Sequence, residues 1–131
     1  MIETKMFDKL KNSLIYVFFQ RVENSVDLGT PDVCYAFDGI CGWIELKQAK
    51  AKPRIKWTVP FRNGQYAWYK RYHRTGAPYF LGVTLGDDWY MIPGSKVKES
   101  YLMHEMEEFF ICTQSDLRAS EDLFIAALRR R

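Results

Sequence analysis

In the first part of the chain, apolar residues recur with the spacing of one face of a helix. Over residues 4–15 the apolar positions fall on one helical face, and charged residues such as Asp8 and Lys11 fall on the opposite face. The apolar positions are Met6, Phe7, Leu10, Leu14 and Ile15. This spacing predicts an amphipathic helix whose apolar face packs against the rest of the domain.

Five later segments have the composition of β-strands, because they are short, apolar and rich in aromatic and β-branched residues. These segments are residues 16–22, 33–37, 42–49, 79–85 and 89–92. The pair Asp38-Gly39 stands between the second and third segments, which predicts a tight hairpin there. The sequence Gly86-Asp87-Asp88 predicts a turn between the last two segments.

Two further helices are predicted in the middle and at the end of the chain. Asn63 is a candidate N-cap for a helix over residues 64–74. Ser120 begins another helix that extends to about residue 130. Its predicted inner face consists of Leu123, Phe124, Ala127 and Leu128. The predicted order is a helix, three strands, a helix, two strands and a helix, and we expect residues 1–131 to form a single α/β domain around a mixed sheet.

The composition is typical of one globular domain. The chain has 131 residues, of which 47% are hydrophobic, and this is enough for one core. No run of about 18 apolar residues occurs, so no transmembrane helix is predicted, and the start of the chain lacks a signal-peptide pattern. The three cysteines include no Cys-x-x-Cys pair, which argues against a disulfide framework or a zinc site. We expect a cytoplasmic protein without membrane contact, of a size that suits a virus or mobile element.

Charge is distributed unevenly along the chain. Residues 46–86 contain no Asp or Glu but nine Lys or Arg, whereas residues 99–122 contain seven acids against Arg118 alone. The nine basic residues are Lys47, Lys50, Lys52, Arg54, Lys56, Arg62, Lys70, Arg71 and Arg74. A mid-chain block of one sign indicates an anionic partner, and the alternative is an ordinary solvated face.

Three charged residues at the second and third predicted strands are candidates for catalysis. Asp32 precedes one strand, and Glu45 and Lys47 lie two positions apart on the next, so the side chains of this pair share a face. A buried Glu–Lys pair costs desolvation energy unless something compensates it. A divalent cation between Asp32 and Glu45 would do so, and such oxygen ligands suit Mg²⁺ or Mn²⁺. The alternative is a turn aspartate beside a surface salt bridge.

These residues form a pattern that resembles the PD-(D/E)xK nuclease superfamily. The motif reads Pro31-Asp32, twelve residues, and then Glu45-Leu46-Lys47. In the Gly29-Thr30 sequence before this motif and in its small size, the chain is most similar to the VRR-Nuc group and to Holliday junction resolvases. Gln65 matches a glutamine that this group carries at the start of the next helix. The resemblance covers about residues 3–92 and implies a restriction-endonuclease-like core, a mixed β-sheet flanked by helices.

The resemblance also implies hydrolysis of phosphodiester bonds with Mg²⁺, for which Mn²⁺ would substitute. The implied metal ligands are Asp32, Glu45, the backbone carbonyl of Leu46 and Glu3, with Glu23 as an alternative to Glu3. Lys47 would orient the attacking water and stabilise the developing negative charge. Gln65 would hydrogen-bond that water or the phosphate. The alternative for Gln65 and Glu3 is that both are ordinary residues of a helix start.

The expected function is that of a metal-dependent, structure-selective DNA endonuclease similar to Holliday junction resolvases. The residues expected to contact DNA phosphates are Lys50, Lys52, Arg54, Lys56, Arg62, Lys70, Arg71 and Arg74. A homodimer would cut two strands symmetrically, and the C-terminal helix and residues 109–111 are candidates for its interface. The alternatives are a nuclease that processes flaps or ends, and a nuclease-fold module that binds DNA or a protein without catalysis.

Overall fold

The computed structural model describes residues 2–23 and 28–130 and, within them, the side chains from Lys5 onwards. The α-helices are α1 (Ile2–Ser13), α2 (Gln65–His73), α3 (Met103–Met106) and α4 (Glu121–Arg129). The strands are β1 (Phe18–Arg21), β2 (Val33–Phe37), β3 (Ile40–Ala49), β4 (Lys56–Thr58), β5 (Tyr79–Leu85), β6 (Asp88–Pro93), β7 (Ser100–Leu102) and β8 (Phe110–Thr113).

Six of the strands form one mixed sheet in the order β1-β2-β3-β5-β6-β8. Every neighbouring pair is antiparallel except β3 and β5, which run parallel. Parallel neighbours need a crossover connection. Here the crossover contains β4 and α2, and it covers the face of the sheet that carries the candidate residues. β4 pairs with β7 in a separate two-stranded sheet.

The sheet buries a hydrophobic cluster on each of its faces. One cluster joins α1 and α4 to sheet residues that include Ile44 and Leu46 of β3. The other joins α2 and the β4–β7 sheet to residues that include Leu81 and Val83 of β5, and Trp43 of β3 packs against it. Because side chains alternate along a strand, the odd-numbered residues of β3 face α2. Glu45 and Lys47 are therefore on the α2 side.

The hairpin and the predicted order of long elements are confirmed. β2 and β5 have the predicted bounds. Asp38 and Gly39, with φ of 47° and 76°, form the two-residue turn between β2 and β3. Two successive residues with positive φ are what a type I′ hairpin turn requires.

Three local predictions are wrong. Asn63 does not cap α2, because the N-cap is Gly64, whose φ of 84° is left-handed. Leu123 is 54% exposed, since the buried stripe of α4 runs through Phe124, Ala127 and Leu128. Ile15 is 70% exposed, because α1 ends at Ser13 and its apolar face stops there.

The short elements β4, β7, β8 and α3 have three or four residues each and are not predicted from the sequence. Periodicity needs a longer window than these segments provide. None of the helices in the described residues has the length and apolar character that a membrane crossing requires.

Candidate functional site

The Glu45 and Lys47 side chains lie together in the protein interior. Glu45 is 1% exposed and Lys47 is 4% exposed, and Lys47 Nζ is 3.5 Å from Glu45 Oε2. Their strand is central and its face is covered by the crossover, so both side chains are removed from bulk water. Such a pair is costly to bury without further hydrogen bonds or another charge.

Gln65 supplies the hydrogen bonds that hold this pair. It is the first residue of α2, and its side chain is buried. Its Nε2 donates to Glu45 Oε2 at 3.1 Å, and its Oε1 accepts from Lys47 Nζ at 2.7 Å. The same Oε1 accepts the backbone N–H of Arg62 at 2.7 Å, which fixes the orientation of the amide. The structure thus brings Gln65 together with Glu45 and Lys47.

Asp32 lies beside the cluster, one residue before β2. Its Oδ2 accepts the backbone N–H of Leu46 at 3.3 Å. Burial and the neighbouring negative charge of Asp32 raise the pKa of Glu45 from 4.5 to about 9, although Lys47 acts in the opposite direction. Because the Asp32 and Glu45 carboxyl groups are neighbours, a negative charge on one disfavours ionisation of the other. A cation between them would favour the ionised form of both.

The donor set fits a hard divalent cation. Glu45 Oε1 is buried and has no hydrogen-bond partner among the described residues. An unsatisfied buried carboxyl oxygen is costly, so this atom is available as a ligand. The β2–β3 register ends at Val33 opposite Ile44, and the Leu46 N–H points past the end of β2 to Asp32. The carbonyl of a strand residue leaves on the same side as its N–H, so Leu46 offers a third oxygen there.

The remaining predicted ligand is Glu3. It lies in the first turn of α1, but its side chain is outside the described part of the chain. The alternative Glu23 is exposed, two residues after β1. Within the described side chains, no group of three His, Cys, Asp or Glu residues could hold a metal. The described oxygen ligands are therefore the two carboxylates and the Leu46 carbonyl.

Comparison with known proteins supports this fold. The chain is similar to the solved structure of Hjc, a Holliday junction resolvase from the archaeal hyperthermophile Archaeoglobus fulgidus. The two chains are 16% identical, with a TM-score of 0.55 over 96% of this chain and 98% of Hjc. No protein-family model and no curated protein matches the sequence. The mixed sheet with helices on both faces is the Hjc fold, and the predicted fold class is confirmed.

A contact between two glycines joins the Asp32 segment to the start of α2. Gly29 and Gly64 both have positive φ, and an added Cβ at Gly29 would lie 2.2 Å from the Gly64 carbonyl oxygen. Only glycine at position 29 allows this approach. The turn before Asp32 thus contacts the residue before Gln65. This contact couples the position of the Asp32 side chain to that of the Gln65 side chain. The Gly29-Thr30-Pro31-Asp32 sequence is part of the motif, but nothing in it identifies Gly64 as the partner.

We expect Gly29→Ala to lower any activity of this site by about 100-fold, because displacing a positioned group by about 1 Å has an effect of this size. The new Cβ would push α2 away from the turn and withdraw Gln65 from Glu45 and Lys47. Gly39→Ala is the matched control, since Gly39 also has positive φ but a Cβ added there would meet no atom of the described residues within 4 Å. An equally lowered rate in both variants would show that backbone strain, and not the contact with Gly64, lowers the activity.

The predicted DNA-contacting residues are all exposed or partly exposed. Lys70, Arg71 and Arg74 lie on or directly after α2, and Arg62 precedes it by three residues. Lys50, Lys52 and Arg54 lie between β3 and β4, and Lys56 begins β4. Lys52 pairs with Asp88 at 3.0 Å, so part of its charge is already balanced. Most aromatic residues of α2 pack on one another or on the sheet, as with Tyr69 and Tyr79.

Proposed function

We propose that this chain is a Mg²⁺-dependent DNA endonuclease that cuts branched DNA, as a Holliday junction resolvase does. The observation that carries the proposal is the buried Glu45–Lys47–Gln65 cluster with the half-buried Asp32 beside it, in which Glu45 Oε1 has no partner among the described residues. A binding module has no need of a buried glutamate and lysine beside a second carboxyl group, because such a cluster costs stability. The Hjc fold is consistent with this proposal.

Asp32, Glu45 and the Leu46 carbonyl would hold Mg²⁺, and Mn²⁺ would substitute because it takes the same oxygen ligands. The bound ion would lower the pKa of a water molecule and offset phosphate charge. The Lys47 ammonium, held by Gln65 Oε1, would donate a hydrogen bond to a phosphate oxygen and stabilise its extra negative charge. Gln65 would hold the Lys47 and Glu45 side chains in position through its two hydrogen bonds. Hydrolysis adds water across one P–O bond, leaving a phosphate monoester and a hydroxyl.

We also propose a homodimer, because a two-fold axis places two sites on the two strands of a junction. Of the predicted interface residues, Phe109 and Ile111 are buried within the chain, whereas Phe110 and Leu123 are exposed. Phe110 lies on β8, which is an edge strand of the sheet. Phe110 and Leu123 are therefore the large apolar side chains that these predicted interface segments expose to a partner.

The test is cleavage of a labelled four-way junction beside a flap, a linear duplex and a single strand. Each substrate is incubated with Mg²⁺ or with EDTA. We expect paired nicks near the branch of the four-way junction, only with Mg²⁺. Preferential cutting of flaps or single strands would replace the substrate but keep the site. Tight junction binding without any cutting would favour a binding module.

A separate prediction concerns the basic residues Arg71 and Arg74, which lie on and directly after α2. We expect Arg71→Gln/Arg74→Gln to weaken DNA binding and to reduce the salt slope, d log K/d log [salt], by about 2, or about one per lost phosphate contact. Lys9→Gln/Lys11→Gln on α1 removes the same charge from another surface and is the control. Fluorescence anisotropy over a series of salt concentrations measures both quantities. An equal change in the two double variants would indicate a general charge effect.

A further inference from the structure

The connection between β3 and β4 carries a large apolar side chain that is exposed to solvent. Ile55 is 73% exposed, directly between Arg54 and Lys56, which are also exposed. We call residues 50–56 the basic loop, since Lys50 and Lys52 belong to it too. The loop starts three residues after Lys47, and β4 then leads to the start of α2 with Gln65. It is thus joined at both ends to elements of the candidate site.

Backbone hydrogen bonds hold the chain at the two ends of the basic loop. The Met103 N–H donates to the Ile55 carbonyl at 2.7 Å, just after β7 pairs with β4. At the other end, the Gly86 N–H donates to the Ala49 carbonyl at 2.9 Å. Between these ends, the exposed Lys52 side chain forms an ion pair with Asp88. Because its backbone is held, Ile55 is presented to solvent by the fold.

We propose that Ile55 is an apolar wedge that contacts bases where stacking is interrupted, as at the branch of a DNA junction. This inference rests on the proposed nuclease function and names the feature of the substrate that the protein recognises. Proteins that bend or open DNA insert aliphatic side chains between bases while flanking Lys and Arg contact phosphates. Ile55 with Arg54 and Lys56 has this arrangement.

The charge along the chain on either side of Ile55 favours nucleic acid over the other occupants of an apolar surface. No acidic residue occurs in the sequence from Leu46 to Gly86, so an anionic partner is preferred. One branched aliphatic side chain between two cationic side chains makes a narrow apolar tip, which suits the gap between two bases.

The test uses the full-length protein with Ca²⁺ in place of Mg²⁺, so that DNA is bound without being cut. The probes are a four-way junction with 2-aminopurine at the branch and a linear duplex with the same label. Anisotropy of a second dye gives the Kd, and 2-aminopurine fluorescence reports unstacking. The variants are Ile55→Ala, Ile55→Leu as the conservative replacement, and Ile15→Ala as the control, because Ile15 is similarly exposed but lies outside the basic block.

We expect the wild-type protein to raise branch fluorescence, and Ile55→Ala to abolish that rise and to bind the junction about tenfold more weakly, which equals about 1.4 kcal/mol. Ile55→Leu and Ile15→Ala should behave as wild type, and duplex affinity should not change. If Ile55→Ala still unstacks the branch and binds as wild type, the wedge is overturned while the nuclease proposal stands. If the wild-type protein binds neither DNA, both proposals fail, and a protein or membrane partner for Ile55 is favoured.

Discussion

Replacing Asp32 by Asn is expected to lower the rate of junction cleavage by about 1000-fold or more, while junction binding in Ca²⁺ stays near the wild-type level. Losing one metal carboxylate removes several kcal/mol of transition-state stabilisation, and about 4 kcal/mol corresponds to a 1000-fold change in rate. Asn keeps the shape of the side chain and an oxygen that accepts the Leu46 N–H. The fold should therefore survive the substitution. Single-turnover cleavage and anisotropy measure the two quantities.

Asp38→Asn is the matched control for this variant. Asp38 lies at the other end of β2, is exposed in the hairpin turn, and has a positive φ that Asn adopts readily. Its cleavage rate should equal that of the wild type. A wild-type rate for Asp32→Asn would show that the cluster is not the catalytic site.

The second large effect is expected for Glu45→Gln, which should abolish cleavage yet stabilise the metal-free protein at pH 7. With a pKa of about 9, Glu45 is protonated in the folded protein but ionised in the unfolded chain, so folding must take up a proton. Gln has a similar shape and no such cost. We expect Tm to rise by about 4 °C or more, the shift that roughly 1 kcal/mol produces in a domain of this size.

The pH dependence of stability follows from the same pKa. Between pH 4.5 and about 9 the folded state binds more protons at Glu45 than the unfolded state does. The contribution of Glu45 to the free energy of unfolding therefore falls as pH rises through this range. Glu45→Gln should flatten the slope in metal-free buffer, and the exposed control Glu107→Gln should not. Equal slopes for wild type and Glu45→Gln would contradict the raised pKa.

Much of this site is accessible from the sequence because its parts are close along the chain. The Asp38-Gly39 turn fixes the pairing of β2 with β3, and the alternation of strand residues then places Glu45 and Lys47 on one face. Asp32 follows from that register, because it lies one residue before Val33, which pairs with Ile44. Period-two and turn rules are local, so they need no knowledge of the rest of the fold.

Contacts between distant segments are not accessible in this way. The approach of Gly29 to Gly64 joins residues 35 positions apart, and no local rule links them. The role of the acid-rich end of the chain is equally hidden in the sequence. In the fold, β7 and Met103 from this region hold β4 and the basic loop, so one contribution of this region is to support the surface around Ile55.

The proposed hydrolysis depends on the binding of a divalent cation by Asp32 and Glu45 together. Calorimetric titration of Mn²⁺ into the metal-free protein tests it without any DNA. We expect wild type to bind Mn²⁺ and to be stabilised by about 2.7 kcal/mol when the ion is at about 100 times its Kd. Asp32→Asn/Glu45→Gln should show neither heat nor stabilisation, and Asp38→Asn/Glu107→Gln should match wild type. Unchanged Mn²⁺ binding by the Asp32→Asn/Glu45→Gln variant would show that these two carboxyl groups do not form the metal site.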